Sequence, residues 1–362
     1  MSKQTTSPLR HVTIIALLLL GAGLGWLFFA PVPFDPAPDT PFAPNPAGTG
    51  VYSGNNLLAE ARHVASGEGP EGIAFDAAGR LYTGLHDGRI LRFDVALQDA
   101  PEEMADTGGR PLGIEFDAKG NLIIADAEKG LLSMSPDGTL TVLTTHVNGR
   151  RMIFVDDVAI ADDGKIYFSD ASQNYSYGHE IIEIFERRPS GRLLVFDPAT
   201  QETRVLLDDL FFANGVAMGP QDAFVLVNET FGHRIMRYWL SGEKAGTADI
   251  FADNFPGYLD NITEAPGGGY WLAVVAPRVD EIDALVDKPF WRKVVWRIMD
   301  LTGGSPAEMH SRAVRLDANG TAQMSLDDGT GHIFMMTSVI EENGQLFLGS
   351  TINDVIGVID AP

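Results

Sequence analysis

In the stretch "GYLDNITEAPGGGYWLAV", Asp260 and Asn261 stand side by side just before Ile262, where an apolar strand begins. Oxygen-bearing side chains recur at the same place elsewhere: Glu71 before Gly72-Ile73, Asp156 before Asp157-Val158, and Asn214 before Gly215-Val216. Leu112 and Thr337 hold the equivalent place in two further segments. Two positions on, the chain has Ile73, Ile114, Val158, Val216, Ile262 and Val339, all apolar and core-like. Buried carboxylates are costly unless paired, and no Lys or Arg recurs in register with these. A hard cation is the simplest compensation. Calcium accepts about six to eight oxygens from Asp, Glu, Asn and water in irregular geometry. Magnesium keeps more of its waters, and zinc would want His or Cys, which this column lacks. Two other readings stay open at this point. The residues could bond backbone amides where strands start, or a metal could only staple the fold together.

The elements that must position this column are repeated hairpins. Six units share one plan, and such repeats govern the reading of the whole chain. They are "PEGIAFDAAGRLYTG" from Pro70, "PLGIEFDAKGNLIIAD" from Pro111, "VDDVAIADDGKIYFSD" from Val155, "ANGVAMGPQDAFVLVNE" from Ala213, "LDNITEAPGGGYWLAV" from Leu259 and "MTSVIEENGQLFLGS" from Met336. Each is a short apolar strand, a turn rich in Gly, Asp or Asn, and a second apolar strand. A third strand often follows, as in "GRILRFD" at Gly88. The spacings are 41, 44, 58, 46 and 77 residues. The shorter ones suit a four-stranded propeller blade. The longer ones hold the insertions "QNYSYGHEIIEIFERRPSG" and "PRVDEIDALVDKPFWRKVVWRI", both partly helical in pattern. The expected fold is all-β, a six-bladed β-propeller over residues 55–362. The first strand of each blade lines the channel, so the column becomes a ring on the axis.

Lys and Arg total 26 against 49 Asp and Glu, a formal net charge of −23. That argues against nucleic acid as a partner and against electrostatic docking on anionic lipid. With no cysteine, disulfides, thiolate metal sites and a cysteine nucleophile are excluded. Lys3 and Arg10 precede the uncharged run "VTIIALLLLGAGLGWLFFA" at 12–30. Nineteen residues rise roughly 28 Å, about one hydrocarbon core. The bulky "WLFFAPVPF" is a poor cleavage site, so an uncleaved signal-anchor is expected rather than a cleaved signal peptide. It would leave residues 1–30 as cytoplasmic stub and membrane span, with the main domain outside the cytoplasm. The Pro-rich residues 31–54 are expected to form a linker, its part 31–48 a semi-rigid spacer.

The most specific strings are "ERRPSGRLLVFDPAT" from Glu186, "NGVAMGPQDAFVLVNET" from Asn214, "RIMRYWLSGEKAGTADIFADNFPGYLDNI" from Arg234 and "PFWRKVV" from Pro289. On these the chain resembles the strictosidine synthase-like and adipocyte plasma membrane-associated protein branch of the calcium-dependent six-bladed propellers. That superfamily includes paraoxonases and the gluconolactonase/senescence-marker proteins. The resemblance spans about residues 55–360 and extends to the N-terminal anchor. It implies calcium held at the channel centre, with Glu71, Asp156, Asn214 and Asp260 matching the ligand set of the lactonase relatives. Asn261 matches an additional ligand of the paraoxonase pattern, and Asp157 a position tied there to a second, structural calcium. Two positions depart. Thr337 stands where strictosidine synthase carries its acid–base Glu, which disfavours amine–aldehyde condensation. Leu112 stands where paraoxonases carry a His, which puts a His dyad in doubt.

The resulting expectation is a calcium-dependent hydrolase of lactones or aryl esters, with Asp260 as both ligand and general base. The rival is a membrane-anchored, non-enzymatic propeller that binds a ligand or partner, its calcium only structural. A Ser-His-Asp site has no support, since no G-x-S-x-G elbow occurs. His86 and His233, near turn or strand ends, read as surface residues, while His179 is the histidine an insertion could bring over the channel. The sequons at Asn228 and Asn261 fall in expected strands, which argues against their glycosylation. Phe185, Phe290 and Trp291 in the insertions could cap the channel mouth, or equally cover the blades' own core.

Overall fold

A computed structural model describes residues 8–304 and 309–362; Lys3 lies outside them. Six antiparallel four-stranded sheets form the propeller. Blade 1 begins with Ile73–Phe75, blade 2 with Pro111–Phe116, blade 3 with Val155–Ile160, blade 4 with Ala213–Met218, blade 5 with Gly257–Glu264 and blade 6 with Met336–Glu342. Blade 6 is completed by the N-terminal strand Arg62–Ala65, which pairs with Val355–Asp360. Sewing the two ends of the chain into one sheet closes the ring and removes an exposed edge.

The hairpins form because their turns satisfy their own backbones. Asp76 Oδ1 accepts the amides of Ala78 and Arg80, and Asp117 Oδ1 those of Lys119 and Asn121. Gly79 and Gly120 sit between at φ of 77° and 81°, a region L side chains avoid. Alternating apolar residues then pack blade against blade. One cluster joins Phe224, Leu226 and Ile235 of blade 4 to Leu259, Leu272 and Val314 of blade 5, and each of the other interfaces has its own.

Among the described residues four α-helices stand outside the blades: α1 (Pro8–Phe29), α2 (Ile181–Glu186), α3 (Asp280–Asp283) and α4 (Pro289–Thr302). Within α1, Val12–Phe29 is long and apolar enough to cross a membrane and is not buried by the rest of the chain. The Pro-rich residues after it are extended but do not stand off as a spacer. Phe34 is buried against Phe185 and Ile282. The amides of Ala37 and Asp39 donate to the carbonyls of Glu186 and Val286, and Asp39 pairs with buried Arg187. Proline removes amide donors but leaves carbonyls, and Arg292 and Arg278 donate to those of Ala37 and Ala43. The segment is a strap across the helical insertions.

Candidate active site

The inner strands are irregular at the column. Register shifts fall between Pro111 and Ile114, Val155 and Val158, Ala213 and Val216, Leu259 and Ile262, and Met336 and Ser338. A bulge withdraws residues from the ladder and re-aims their side chains. These bulges in blades 2 to 6, with Glu71 standing just ahead of the blade 1 strand, bring all six column residues, Glu71, Leu112, Asp156, Asn214, Asp260 and Thr337, to one cavity of about 280 Å³ on the axis. The residue after each belongs to the blade-to-blade contact. A Cβ on Gly113 would lie 2.1 Å from Asp157 Oδ1, and one on Gly72 2.2 Å from the carbonyl of Leu112, so only glycine fits.

Asn261 is brought to the site from below. It lines a second chamber of about 430 Å³ on the far side of the column, together with Asp157, Glu115 and Glu264. Its Nδ2 donates to Glu71 Oε1 at 3.1 Å. Asp157 faces the same chamber, and its Oδ2 accepts the amide of Val216 at 2.7 Å, tying blade 3 to blade 4.

Glu71, Asp156 and Asp260 are 2%, 3% and 8% exposed, so water screens them little. Burial, then repulsion from Asp260 and Glu71, holds Asp156 well above the ordinary carboxylate range. Burial and Glu71 do the same to Asp260, offset in part by hydrogen bonds from Asn214 and the Asn261 amide. Burial pushes Glu71 up to about 8, with Arg110 opposing. Among the column residues and Asn261, three oxygens are buried and without a hydrogen-bond partner: Glu71 Oε2, Asn214 Oδ1 and Asn261 Oδ1. Such groups are costly, and their concentration at one spot calls for a ligand. Among the described residues no three His, Asp or Glu side chains form a metal group by themselves. A cation here would need the amide oxygens as well as the carboxylates. The all-oxygen, mixed set fits calcium.

Two participants lack any signal in the repeat. Arg110 is 1% exposed, lies just before blade 2 and donates to the carbonyl of Gly69. Glu180, between Tyr177 and α2, lines the cavity with Oε2 buried and unpartnered, and its charge raises Asp156. It is the neighbour of His179, which is exposed and does not line the cavity. His233 is not a surface residue. It is 1% exposed, its Nδ1 2.9 Å from the Gly257 carbonyl, under the ring of Phe42 from the strap. His86 is exposed, as expected. The insertions also divide. Ile181 and Ile184 of α2 line the cavity and Phe185 is buried beside Phe34, whereas Phe290 and Trp291 turn away from the mouth toward α1. Asn228 and Asn261 are both buried, as strand positions should be.

Comparison with known proteins agrees with this architecture. The strictosidine synthase family model matches residues 156–243, and the strictosidine synthase-like N-terminal model residues 50–93. The rat (Rattus norvegicus) adipocyte plasma membrane-associated protein is 34% identical over 359 residues, covering 93% of this chain and 94% of the relative. An Arabidopsis thaliana strictosidine synthase-like protein is 34% identical over 90% of each chain. Among solved structures, a gluconolactonase from Xanthomonas campestris aligns with a TM-score of 0.60 at 17% identity, over 85% of this chain and 92% of that one. A calcium-binding regucalcin from Agrobacterium tumefaciens aligns at 0.54 and 14% identity, over 82% and 93%. These likenesses show the fold.

Proposed function

Because the chain belongs to the strictosidine synthase-like family, with the adipocyte plasma membrane-associated proteins among its members, we propose that its axial cavity is the site of a calcium-dependent hydrolase acting on lactones or aryl esters. One observation carries the reading: three buried carboxylates converge with two unpartnered amide oxygens, and among the described residues no ring of cations answers them, Arg110 acting on Glu71 alone of the three. Propellers of this shape include proteins named for gluconolactone hydrolysis and calcium binding, which supports the same reading. Glu71, Asp156, Asn214 and Asp260 would hold the ion, with Asn261 supporting from below. When bound, calcium supplies Lewis-acid polarisation of an ester carbonyl.

The chain's own residues supply the rest. Phe154, Phe212, Phe231 and Tyr258 wall the cavity, exclude bulk water and take the apolar part of an ester. Asp260, held above the ordinary carboxylate range by burial and by the charge of Glu71, is suited to accept a proton from water. Glu180 lines the same cavity from the insertion, and the proton that Asp260 takes from water passes to the leaving alcohol. Thr337 offers only a hydroxyl, which donates to the Glu71 carbonyl at 3.1 Å, so the condensation reaction lacks its acid–base group. The N-terminal helix would anchor the chain in a membrane, with the propeller outside the cytoplasm.

Elemental analysis of the purified chain, with and without prior dialysis against EDTA, tests the metal part. About one calcium per chain or more, lost together with hydrolysis, is the expected result. Bound calcium with no hydrolysis of any ester or lactone would favour a ligand-binding propeller.

A further inference from the structure

Helix α4 carries two apolar faces. One packs inward, with Val295, Trp296 and Met299 against Phe34 and Phe185. The other is exposed: Phe290, Trp291, Ile298 and Leu301 are 46%, 48%, 45% and 73% accessible. Their spacing of about seven and three residues puts them on one stripe. The stripe adjoins the end of α1. The ring of Phe28 lies parallel to that of Phe290 at 6.2 Å and edge-on to Trp291 at 6.4 Å. Arg297, 4% exposed, donates to the carbonyls of Leu27 and Ala30 at 3.0 and 2.9 Å. Those are last-turn carbonyls without helical partners, and a guanidinium there also suits the helix dipole. The helix end is thereby fixed to α4, and the strap after it is bonded down.

This fixes a depth. The apolar run Val12–Phe29 rises about 27 Å, close to one hydrocarbon core. When it spans, Phe29 lies at the hydrocarbon boundary, and residues in ring contact with Phe28 lie within one side chain of that plane. Aromatic side chains are favoured at this level. We propose that the propeller sits directly on the bilayer, with the Phe290, Trp291, Ile298 and Leu301 face of α4 immersed in the interfacial layer. The occupant of this face is lipid, held by apolar burial rather than charge, since the chain is strongly acidic. The inference depends on α1 crossing a membrane and not on hydrolysis.

The absence of cysteine makes the test direct. Full-length Ile298→Cys and Leu301→Cys proteins are labelled with an environment-sensitive fluorophore and reconstituted in phosphatidylcholine vesicles. Val142→Cys, exposed on blade 2, is the control. Labels at 298 and 301 should lose most of their emission to lipids brominated near the headgroup and resist iodide, while the label at 142 does the reverse. Iodide quenching at 298 and 301 equal to that at 142 would overturn the proposal. So would protection from both quenchers, which would mean that protein covers the face. All three sites are on the surface, and a far-ultraviolet spectrum matching the parent verifies folding.

Discussion

The Asn261 amide donates to Glu71 Oε1 at 3.1 Å and thereby joins blade 5 to blade 1 beneath the axial cavity. The other oxygens of the pair, Asn261 Oδ1 and Glu71 Oε2, are buried and have no partner. The pair both ties blade 5 to blade 1 and, on the proposed reading, offers two oxygens to a cation. Asn261→Ala should therefore weaken calcium binding about tenfold or more, and calorimetric titration reads this directly. Unchanged affinity would remove Asn261 from the site.

Asp156 and Asp260 repel one another across the cavity, and on the proposed reading that shared excess charge helps to make a base. Asp156→Asn is expected to retain calcium yet lose on the order of a hundredfold in kcat. Unchanged turnover in a variant that binds calcium would discard this origin of the base.

Glu180 raises Asp156, so removing its charge should lower Asp156. In Glu180→Gln the acidic limb of the pH–rate profile moves to lower pH, because the carboxylate stays ionised further down. A limb that stays in place or moves up contradicts the coupling.

Burial holds Glu183 of α2 at about 7, above its usual 4.5, despite hydrogen bonds from Ser172 and Ser190. The folded chain binds this proton more tightly than the unfolded chain does. The group's contribution is fully present below about 4.5 and is lost as pH rises through 7. The loss is on the order of 3 kcal/mol. Glu183→Gln keeps an acceptor for both serines without the charge. Its stability relative to the parent should rise between pH 5 and 8, roughly, in urea titrations. A difference independent of pH would show that Glu183 is ordinary.

Gly113 has no room for a methyl group beside Asp157. Gly113→Ala should cost about 2–3 kcal/mol by forcing the first strands of blades 2 and 3 apart. A melting temperature equal to the parent's would mean that the axis is looser than its contacts imply.

The propeller was legible because its hairpins repeat in register, and the column because bulges place the same kind of residue at the same point in successive blades. Contacts made only by the closed ring left no such trace. Glu180 lines the cavity from an insertion and Arg110 acts on Glu71 from a connection, where no repeat gives a register. His233 sits at a strand end, a surface position by local pattern, yet the strap covers it. The strap itself reads as a spacer from its prolines, because composition records stiffness and not which carbonyls find arginine partners. Phe290 and Trp291 share a helix with residues of the inward cluster, and only the position of α1 shows which way they face.

The most direct test of the axial site is hydrolysis of phenyl acetate and a lactone panel by the full-length protein, before EDTA, after it, and after calcium is restored. The expected result is activity that disappears with EDTA, returns with calcium, and is absent from Asp260→Asn under all three conditions. Hydrolysis indifferent to EDTA, or none from a calcium-loaded and folded protein, would contradict it.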